Sequence, residues 1–278
     1  MSPTLRDHQE NMLLKLLGMG DPGTGKTGSL APLINELPRW GIERVVIHDF
    51  DDGLDILSAK VKPDKLDLVH YETMRDDLKA TQVGVGYREA TAWTRAMALL
   101  NNWETKSEKL GPPRDWGRET LFVCDTITGL GDACLGFAHM GPEKIEDHWR
   151  AVGAGMTHQS YYIQLLKAMR CHVIVFSHIR FMGGGGKTTI VDKHGQVSYK
   201  EVDSRVDGTA YPSALGQQLP PSIGRHFNCQ LEWKLVGRSR KVCTIPDTRM
   251  ALKIPFEVKD EMPIETALVD IFKAYLER

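Results

Sequence analysis

The 278-residue sequence has no large excess of either charge, since 35 Lys and Arg residues are balanced by 36 Asp and Glu residues and the formal net charge is -1. A protein that coats nucleic acid through charge alone carries a strong basic excess. Any nucleic-acid contact in this chain must therefore be local. The hydrophobic fraction of 41% predicts a folded domain with a substantial core, because disordered chains are poorer in apolar residues.

Paired cysteines and long apolar segments are also missing. The five cysteines are odd in number and form no C-x-x-C pair, which argues against a disulfide framework and against a structural zinc site. No apolar run reaches the ~18 residues of a membrane-spanning helix, and the polar residues 2–10 do not resemble a signal peptide. These absences predict a protein of the reducing cytoplasm with no membrane partner.

A glycine-rich turn follows a short apolar segment near the start of the sequence. Residues 20–27 (GDPGTGKT) fit the pattern G-x-x-x-x-G-K-[ST], in which backbone N–H groups surround a polyphosphate, the lysine reaches the terminal phosphates and the hydroxyl binds Mg²⁺. Lys26 and Thr27 take these two roles. A helix beginning near Gly25 would add the positive end of its dipole. The alternative is a glycine-rich surface turn. The residues predicted to bind the nucleotide are Gly20, Asp21, Pro22, Gly23, Thr24, Gly25, Lys26, Thr27 and Gly28.

Acidic side chains follow two of the predicted buried strands. Asp51 and Asp52 come after one such strand, and Asp125 ends another. Ligands bind outside the carboxyl ends of parallel strands, so these carboxylates are placed to face the phosphates. Asp125 is the candidate for holding the magnesium together with Thr27. Asp51 and Asp52 have an alternative role, since acidic residues commonly cap helices and a helix is predicted over residues 53–60.

Ser177 and His178 stand at the carboxyl end of a third predicted strand, residues 171–179. A polar side chain at this place can contact the γ-phosphate and report its hydrolysis to the chain that follows. The alternative is a histidine that only bonds to a neighbouring backbone group, because histidine serves many purposes in proteins.

A glycine-rich stretch at residues 182–186 introduces two predicted strands around residues 193–196, which we interpret as a mobile β-hairpin and not as a second P-loop. Cations and an aromatic ring suit single-stranded nucleic acid, where phosphates and bases are both accessible. The alternative is a solvated hairpin with no ligand. The candidate nucleic-acid residues are Lys187, Lys193, Tyr199 and Lys200.

Another hairpin is predicted over residues 229–245, and an amphipathic helix over residues 263–276 closes the sequence. Phosphoryl transfer often uses a cation supplied by an adjacent subunit. Arg225, Arg238 and Arg240 are the candidates for such a trans-acting finger. The alternative is that the arginines of the hairpin belong to a solvated turn.

Four segments resemble the RecA-like ATPases, and among them the phage-encoded, Sak-type single-strand-annealing group; they are residues 20–27, 48–55, 121–130 and 173–178. The resemblance implies an α/β fold: a RecA-like P-loop NTPase core with a mostly parallel central sheet flanked by helices, plus a C-terminal β-hairpin extension. We expect a single domain over residues 1–278, divided into a core at about 12–180, a mobile loop and hairpin at 181–220, and a C-terminal hairpin and helix at 221–278.

The resemblance also implies roles for individual residues. In RecA-like proteins the second segment carries the glutamate that activates the attacking water, and Asp51, with its shorter reach, stands at that position. His178 stands where RecA-like enzymes usually have glutamine and where the Sak-type group is similar in using histidine, which implies a γ-phosphate sensor. The loop that follows is a DNA-binding loop in the family. Asp51, Lys26 and His178 are therefore the expected catalytic residues, with ATP and Mg²⁺ as cofactors.

The function implied is an ATPase that acts on single-stranded DNA in phage recombination, annealing or strand exchange, with the nucleotide between protomers of a ring or filament. A single-strand DNA-binding protein is a further candidate partner, and the place is the host cytoplasm if a phage encodes the chain. The few residues before the P-loop strand imply a core without an added N-terminal domain. Two alternatives stand beside this function. One is a small-molecule P-loop kinase with the glycine-flanked hairpin as its lid, and the other is a nucleotide-gated DNA-binding scaffold with little hydrolysis, which the short Asp51 favours.

Overall fold

The computed structural model describes residues 12–81, 84–105, 108–183, 186–191, 197–202 and 208–277. In chain order the strands are β1 (Lys15–Gly20), β2 (Arg44–Asp49), β3 (Val69–Thr73), β4 (Asp77–Thr81), β5 (Gly84–Glu89), β6 (Trp103–Glu104), β7 (Lys109–Gly111), β8 (Thr120–Asp125), β9 (His172–Ser177), β10 (Ile179–Met182), β11 (Gly186–Val191), β12 (Val197–Val202), β13 (Thr209–Pro212), β14 (Cys229–Val236), β15 (Ser239–Cys243) and β16 (Glu261–Pro263). The helices are α1 (Leu30–Glu36), α2 (Asp55–Lys60), α3 (Ala92–Asn101), α4 (Ile127–Met140), α5 (His148–Ala168), α6 (Leu219–Ile223) and α7 (Ala267–Leu276).

An eight-stranded sheet runs through the molecule in the order β16-β15-β14-β1-β9-β8-β2-β3. The six strands from β14 to β3 run parallel to one another, whereas β15 is antiparallel to both of its neighbours in this sheet, β14 and β16. The predicted α/β fold with a mostly parallel central sheet flanked by helices is therefore confirmed. The predicted C-terminal hairpin is β14–β15, and its first strand pairs directly with β1, so that the C-terminal strands continue the central sheet.

Both faces of the sheet are covered, which explains why its central strands are near-continuous apolar runs. Alternate residues of β1 enter different hydrophobic clusters, Leu17 on one face and Leu16 on the other. The Leu17 cluster contains side chains of α3, α4 and α5, and the Leu16 cluster contains side chains of α1 and α7. All five cysteines, Cys124, Cys134, Cys171, Cys229 and Cys243, are buried and none forms a disulfide, as the lack of a pairing pattern predicts.

Several boundaries differ from the sequence-based expectation. The polar segment after β3 is rich in Asp, Arg and Gly, which predicts a loop, but it contains the β4–β5 hairpin. Apolar residues recur at helical intervals over residues 88–109, which predicts one helix there, but α3 ends at Asn101 and the short β6 follows. The helix expected near Gly25 starts as a 3-10 turn at Thr27–Ser29 before α1 begins.

The predicted hairpin after β9 is present as β11 and β12, which pair antiparallel from Gly186↔Val202 to Val191↔Val197. A second antiparallel pair, β10 with β13, brackets it in the chain. No helix among the described residues is both long and apolar enough to cross a membrane.

The carboxyl ends of the parallel strands meet at one edge of the sheet. β1 ends at Gly20, β2 at Asp49, β8 at Asp125 and β9 at Ser177. β9 lies between β1 and β8, so its end stands between the glycine-rich loop and Asp125. This topology brings the predicted site residues of four distant segments to one place.

Candidate active site

The glycine-rich loop, residues 20–27, joins β1 to the 3-10 turn before α1. Gly23 and Gly25 have φ values of 79° and 91°, in the left-handed region that glycine adopts without steric cost. A Cβ atom on Gly20 would lie 2.6 Å from the carbonyl oxygen of Trp233, closer than carbon and oxygen can approach. The three glycines are thus required by backbone conformation and by close packing.

Lys26 lies inside the loop, with its side chain 6% exposed. Its ammonium group donates to the carbonyl oxygens of Gly20 (2.7 Å) and Asp21 (3.2 Å). Burial lowers the pKa of Lys26, and the carboxylates of Asp125, Asp51 and Asp21 oppose that shift. The loop therefore holds a cation at the meeting point of three acidic side chains.

Thr27 and Asp125 are joined across the sheet edge. The Thr27 hydroxyl donates to Oδ2 of Asp125 at 2.6 Å. Asp125 is 1% exposed and its pKa is raised to about 6, mainly by burial; nearby Asp51 and Asp49 add to the rise, while the Thr27 hydrogen bond and Lys26 oppose it. A hydroxyl and a carboxylate in contact present the hard oxygen donors that Mg²⁺ prefers, so this pair fits a magnesium site.

The raised pKa of Asp125 predicts a cost in stability for the metal-free protein. A folded-state pKa of about 6, against 3.8 for a free carboxyl, means that the folded protein binds the proton more tightly. The contribution of Asp125 to the free energy of unfolding is then highest below about pH 4 and is lost as the pH rises through 6, by up to about 3 kcal/mol. We expect Asp125→Asn to be more stable than the unaltered chain at pH 8 without Mg²⁺, and equal to it near pH 4. Urea unfolding from pH 4 to pH 8 measures the difference in stability between the two proteins. Equal stability of Asp125→Asn and the unaltered chain at pH 8 would contradict the raised pKa of Asp125.

The aspartate that ends β2 and the two that follow it have different surroundings. Asp49 accepts the backbone N–H groups of Asp51 (3.2 Å) and Gly53 (3.3 Å), so its side chain fixes the loop. Asp52 is exposed, has a φ of 56° and forms an ion pair with Arg75. Of the three, Asp51 points toward the other site residues. Neither Asp51 nor Asp52 caps the next helix, because α2 begins after Leu54 with no side-chain cap. The capping alternative is therefore wrong.

Both oxygens of the Asp51 carboxylate are engaged. Oδ1 accepts the Thr126 hydroxyl at 3.0 Å, and Oδ2 lies 3.1 Å from Nε2 of His178. Burial alone would raise the pKa of Asp51, but the hydrogen bonds from His178 and Thr126 outweigh it, and the pKa is lowered overall. Asp51 is therefore ionised at neutral pH and held in a fixed orientation.

Thr126 is a site residue that the sequence reasoning missed. It caps α4 by accepting the backbone N–H of Gly129 (3.2 Å), while the same hydroxyl donates to Asp51. A Cβ on Gly129 would lie 2.9 Å from Oδ1 of Asp51, so only glycine leaves room for the carboxylate. The available signal was a threonine between a strand-ending aspartate and a helix, a common N-cap position.

His178 connects Asp51 to the chain that leads to β10 and β13. Its backbone N–H donates to the Thr128 hydroxyl (3.0 Å), and its carbonyl accepts from Ser213 (2.8 Å) and from the hydroxyl of Ser177 (2.8 Å). The imidazole, however, contacts the carboxylate of Asp51 through Nε2. The alternative of a ring that only bonds to the backbone is therefore wrong.

The three candidate finger arginines lie in different places. Arg240, on β15, donates from Nε to the carbonyl oxygen of Gly23 in its own chain (3.0 Å). Arg238 lies in the exposed turn after β14, beyond the end of β1 and so at the same edge of the sheet. Arg225 lies in a 3-10 turn before β14, at the opposite edge. Action on a neighbouring subunit stays a prediction, and Arg240 differs from the other two in contacting its own loop.

The candidate nucleic-acid residues lie partly outside the described structure. Lys187 belongs to β11, and Tyr199 and Lys200 belong to β12. Lys193 lies outside the described residues. The strands therefore form the expected hairpin, and DNA binding by these residues stays a prediction.

Comparisons with known proteins give little further. The chain matches no protein-family model, and no curated protein sequence matches it. Among solved structures it is similar to the KaiC-like protein PH0186 from the hyperthermophilic archaeon Pyrococcus horikoshii OT3, with 12% identity, a TM-score of 0.39 and coverage of 90% of this chain and 89% of the other. A prototypical ATPase from the type III secretion system of pathogenic bacteria has 13% identity and a TM-score of 0.39, over 80% of this chain and 52% of the other. Likeness at this level does not assign a function to the chain.

Proposed function

We propose that the chain is a P-loop NTPase of the RecA-like type that binds and hydrolyses Mg·ATP. One observation carries this proposal. A loop of P-loop sequence, the Thr27–Asp125 pair and the Asp51–His178 pair meet at the carboxyl edge of one parallel sheet. A phosphate-binding loop alone fits many nucleotide chemistries, whereas this combination also contains a candidate magnesium site and a candidate base.

Phosphoryl transfer depends mostly on positioning and on charge stabilisation. Lys26 and the backbone N–H groups of the loop would hold the phosphates, and Thr27 and Asp125 would hold Mg²⁺. The metal, when bound, neutralises negative charge on the phosphates. Asp51 is ionised and oriented, as a group that accepts a proton from water must be. His178 contacts that carboxylate, and in this proposal it would respond to the γ-phosphate.

The particular protein that we propose is an ATPase that acts on single-stranded DNA in annealing or strand exchange, as a homo-oligomer. The path from the site to the β11–β12 hairpin supports this. The backbone N–H of Ser213, the residue after β13, donates to the carbonyl of His178. β10 begins at Ile179, the residue after His178. A change at His178 thus has a short covalent and hydrogen-bonded route to the hairpin. A phage origin, a cytoplasmic location and a single-strand DNA-binding partner belong to the same proposal.

Two observations favour the alternatives. A cavity of about 530 Å³, lined in part by Phe50, Tyr87, Gly129 and Asp132, adjoins the Asp51 loop and has the size of a small-molecule pocket, which favours a kinase. The engagement of both Asp51 oxygens favours a nucleotide-gated scaffold that hydrolyses ATP slowly.

ATP turnover with a panel of second substrates distinguishes the three functions. We expect single-stranded DNA to increase phosphate release by the full chain several-fold. Stimulation by a nucleoside or nucleotide alone, with transfer of the phosphate to it, would select the kinase. Tight ATP binding without turnover, even on DNA, would select the scaffold. Absence of ATP binding would contradict all three.

A further inference from the structure

The C-terminal hairpin is packed directly on the glycine-rich loop. Trp233 of β14 lies against Gly20, and its indole Nε1 donates to the hydroxyl of Ser29 at 3.1 Å. That hydroxyl in turn donates to the carbonyl of Lys26 at 2.6 Å. The hairpin therefore contacts the loop at its beginning and just beyond its end.

Arg240 completes these contacts in the middle of the loop. Its Nε donates to the carbonyl of Gly23, and its Cδ would lie 3.1 Å from a Cβ on Gly25. Ile264, which follows β16, approaches the same position to 2.8 Å. The arginine thus lies across the two glycines whose left-handed conformation shapes the loop.

Arg240 differs from the neighbouring lysines in its ion-pair partners. Lys241 and Lys234 both pair with Glu261, at 2.8 Å and 3.2 Å. Among the residues that the structure describes, Arg240 has no carboxylate within ion-pair distance, and its bond to Gly23 uses only Nε. The terminal nitrogens of the guanidinium remain available, and their planar geometry matches a phosphate.

We propose that Arg240 acts in cis: it fixes the Gly23 peptide and binds the phosphates of the nucleotide held by its own loop. This inference rests on the proposed nucleotide function. It differs from the role of a trans-acting finger, because the cation and the loop that it serves belong to one chain. The β14–β15 hairpin is then a part of the nucleotide site within each protomer.

Equilibrium binding of Mg·ATP to the full chain tests this inference, at a protein concentration where sedimentation shows a monomer. We expect Arg240→Ala to bind Mg·ATP about tenfold more weakly than the unaltered chain does. The affinity of Arg240→Lys should lie between those of Arg240→Ala and the unaltered chain. Lys241→Ala is the matched control, since it removes a cation from the adjacent position of β15, and its affinity should not change. Thermal melting should be equal in all variants, because both side chains lie near the surface. Wild-type affinity in monomeric Arg240→Ala would overturn the inference.

If the chain assembles at every measured concentration, the test is a mixing experiment with two variants. Lys26→Ala and Arg240→Ala are each expected to be impaired in ATP turnover, and a mixture of the two should stay impaired, since no chain has both residues. Restored turnover in the mixture would show action between subunits and would overturn the inference. If the unaltered chain does not bind Mg·ATP, the proposed function itself fails, whereas equal binding by the unaltered chain and Arg240→Ala contradicts the cis role alone.

Discussion

Replacing Lys26 with alanine should reduce ATP turnover at least about 100-fold while the protein stays folded. The ammonium group is the cation inside the glycine-rich loop, and it lies among three carboxylates whose charge would otherwise repel a nucleotide. Removing one preorganised charge or donor from a site of this kind typically costs two to three orders of magnitude in rate. Phosphate release at saturating Mg·ATP measures the loss.

The effect of Lys26→Ala on stability should be small by comparison. The change removes hydrogen bonds to Gly20 and Asp21, each with a net value of about 1 kcal/mol, but it also removes the cost of burying a cation. Thermal melting of the variant should therefore stay close to that of the unaltered chain. Lys26→Arg is the control that keeps the charge and alters its shape. Unchanged ATP turnover in Lys26→Ala would contradict the nucleotide assignment.

Asp51→Asn should separate nucleotide binding from hydrolysis. The amide keeps the shape of the carboxylate but accepts no proton, and loss of a general base commonly lowers the rate by about 10²- to 10⁴-fold. Mg·ATP affinity should be retained or slightly improved, because one negative charge near the phosphates is removed. Single-turnover hydrolysis together with equilibrium binding gives the two quantities separately.

The chain has a matched control for this prediction. Asp52→Asn removes the neighbouring carboxylate, which is exposed and paired with Arg75, and it should leave hydrolysis unchanged. Asp51→Glu tests the reach of the side chain, since it places a longer acid at this position. Equal hydrolysis by Asp51→Asn and the unaltered chain would show that another group activates the water, and loss in Asp52→Asn instead would assign that role to Asp52.

Much of the site was predictable because its residues follow local rules. The loop pattern identifies Lys26 and Thr27, and apolar strands that end in polar residues identify Asp125 and His178. The structure brings these segments to one edge because parallel strands share a direction. The residue pattern alone left Asp51 and Asp52 open, and the family resemblance selected Asp51; in the structure Asp52 turns outward at a φ of 56°.

The remaining features depend on tertiary contacts that no local pattern contains. The contact between Arg240 and Gly23 joins positions 217 residues apart, and its cause is the pairing of β14 with β1. The β4–β5 hairpin was missed because its sequence is rich in Asp, Arg and Gly, which usually indicate loops. It packs on α4, where a Cβ on Gly136 would lie 2.7 Å from the ring of Tyr87. Thr126 had an N-cap signal, but its hydrogen bond to Asp51 depends on the neighbouring strand.

The most direct test of the proposed function is ATP turnover by the full chain, with and without a single-stranded oligonucleotide, from about 50 to 200 mM salt. We predict Mg²⁺-dependent phosphate release that single-stranded DNA increases. The DNA concentration for half-maximal stimulation should rise with salt, because contacts with backbone phosphates release counterions. No phosphate release at any salt concentration, or release that single-stranded DNA never alters, would contradict an ATPase that acts on single-stranded DNA.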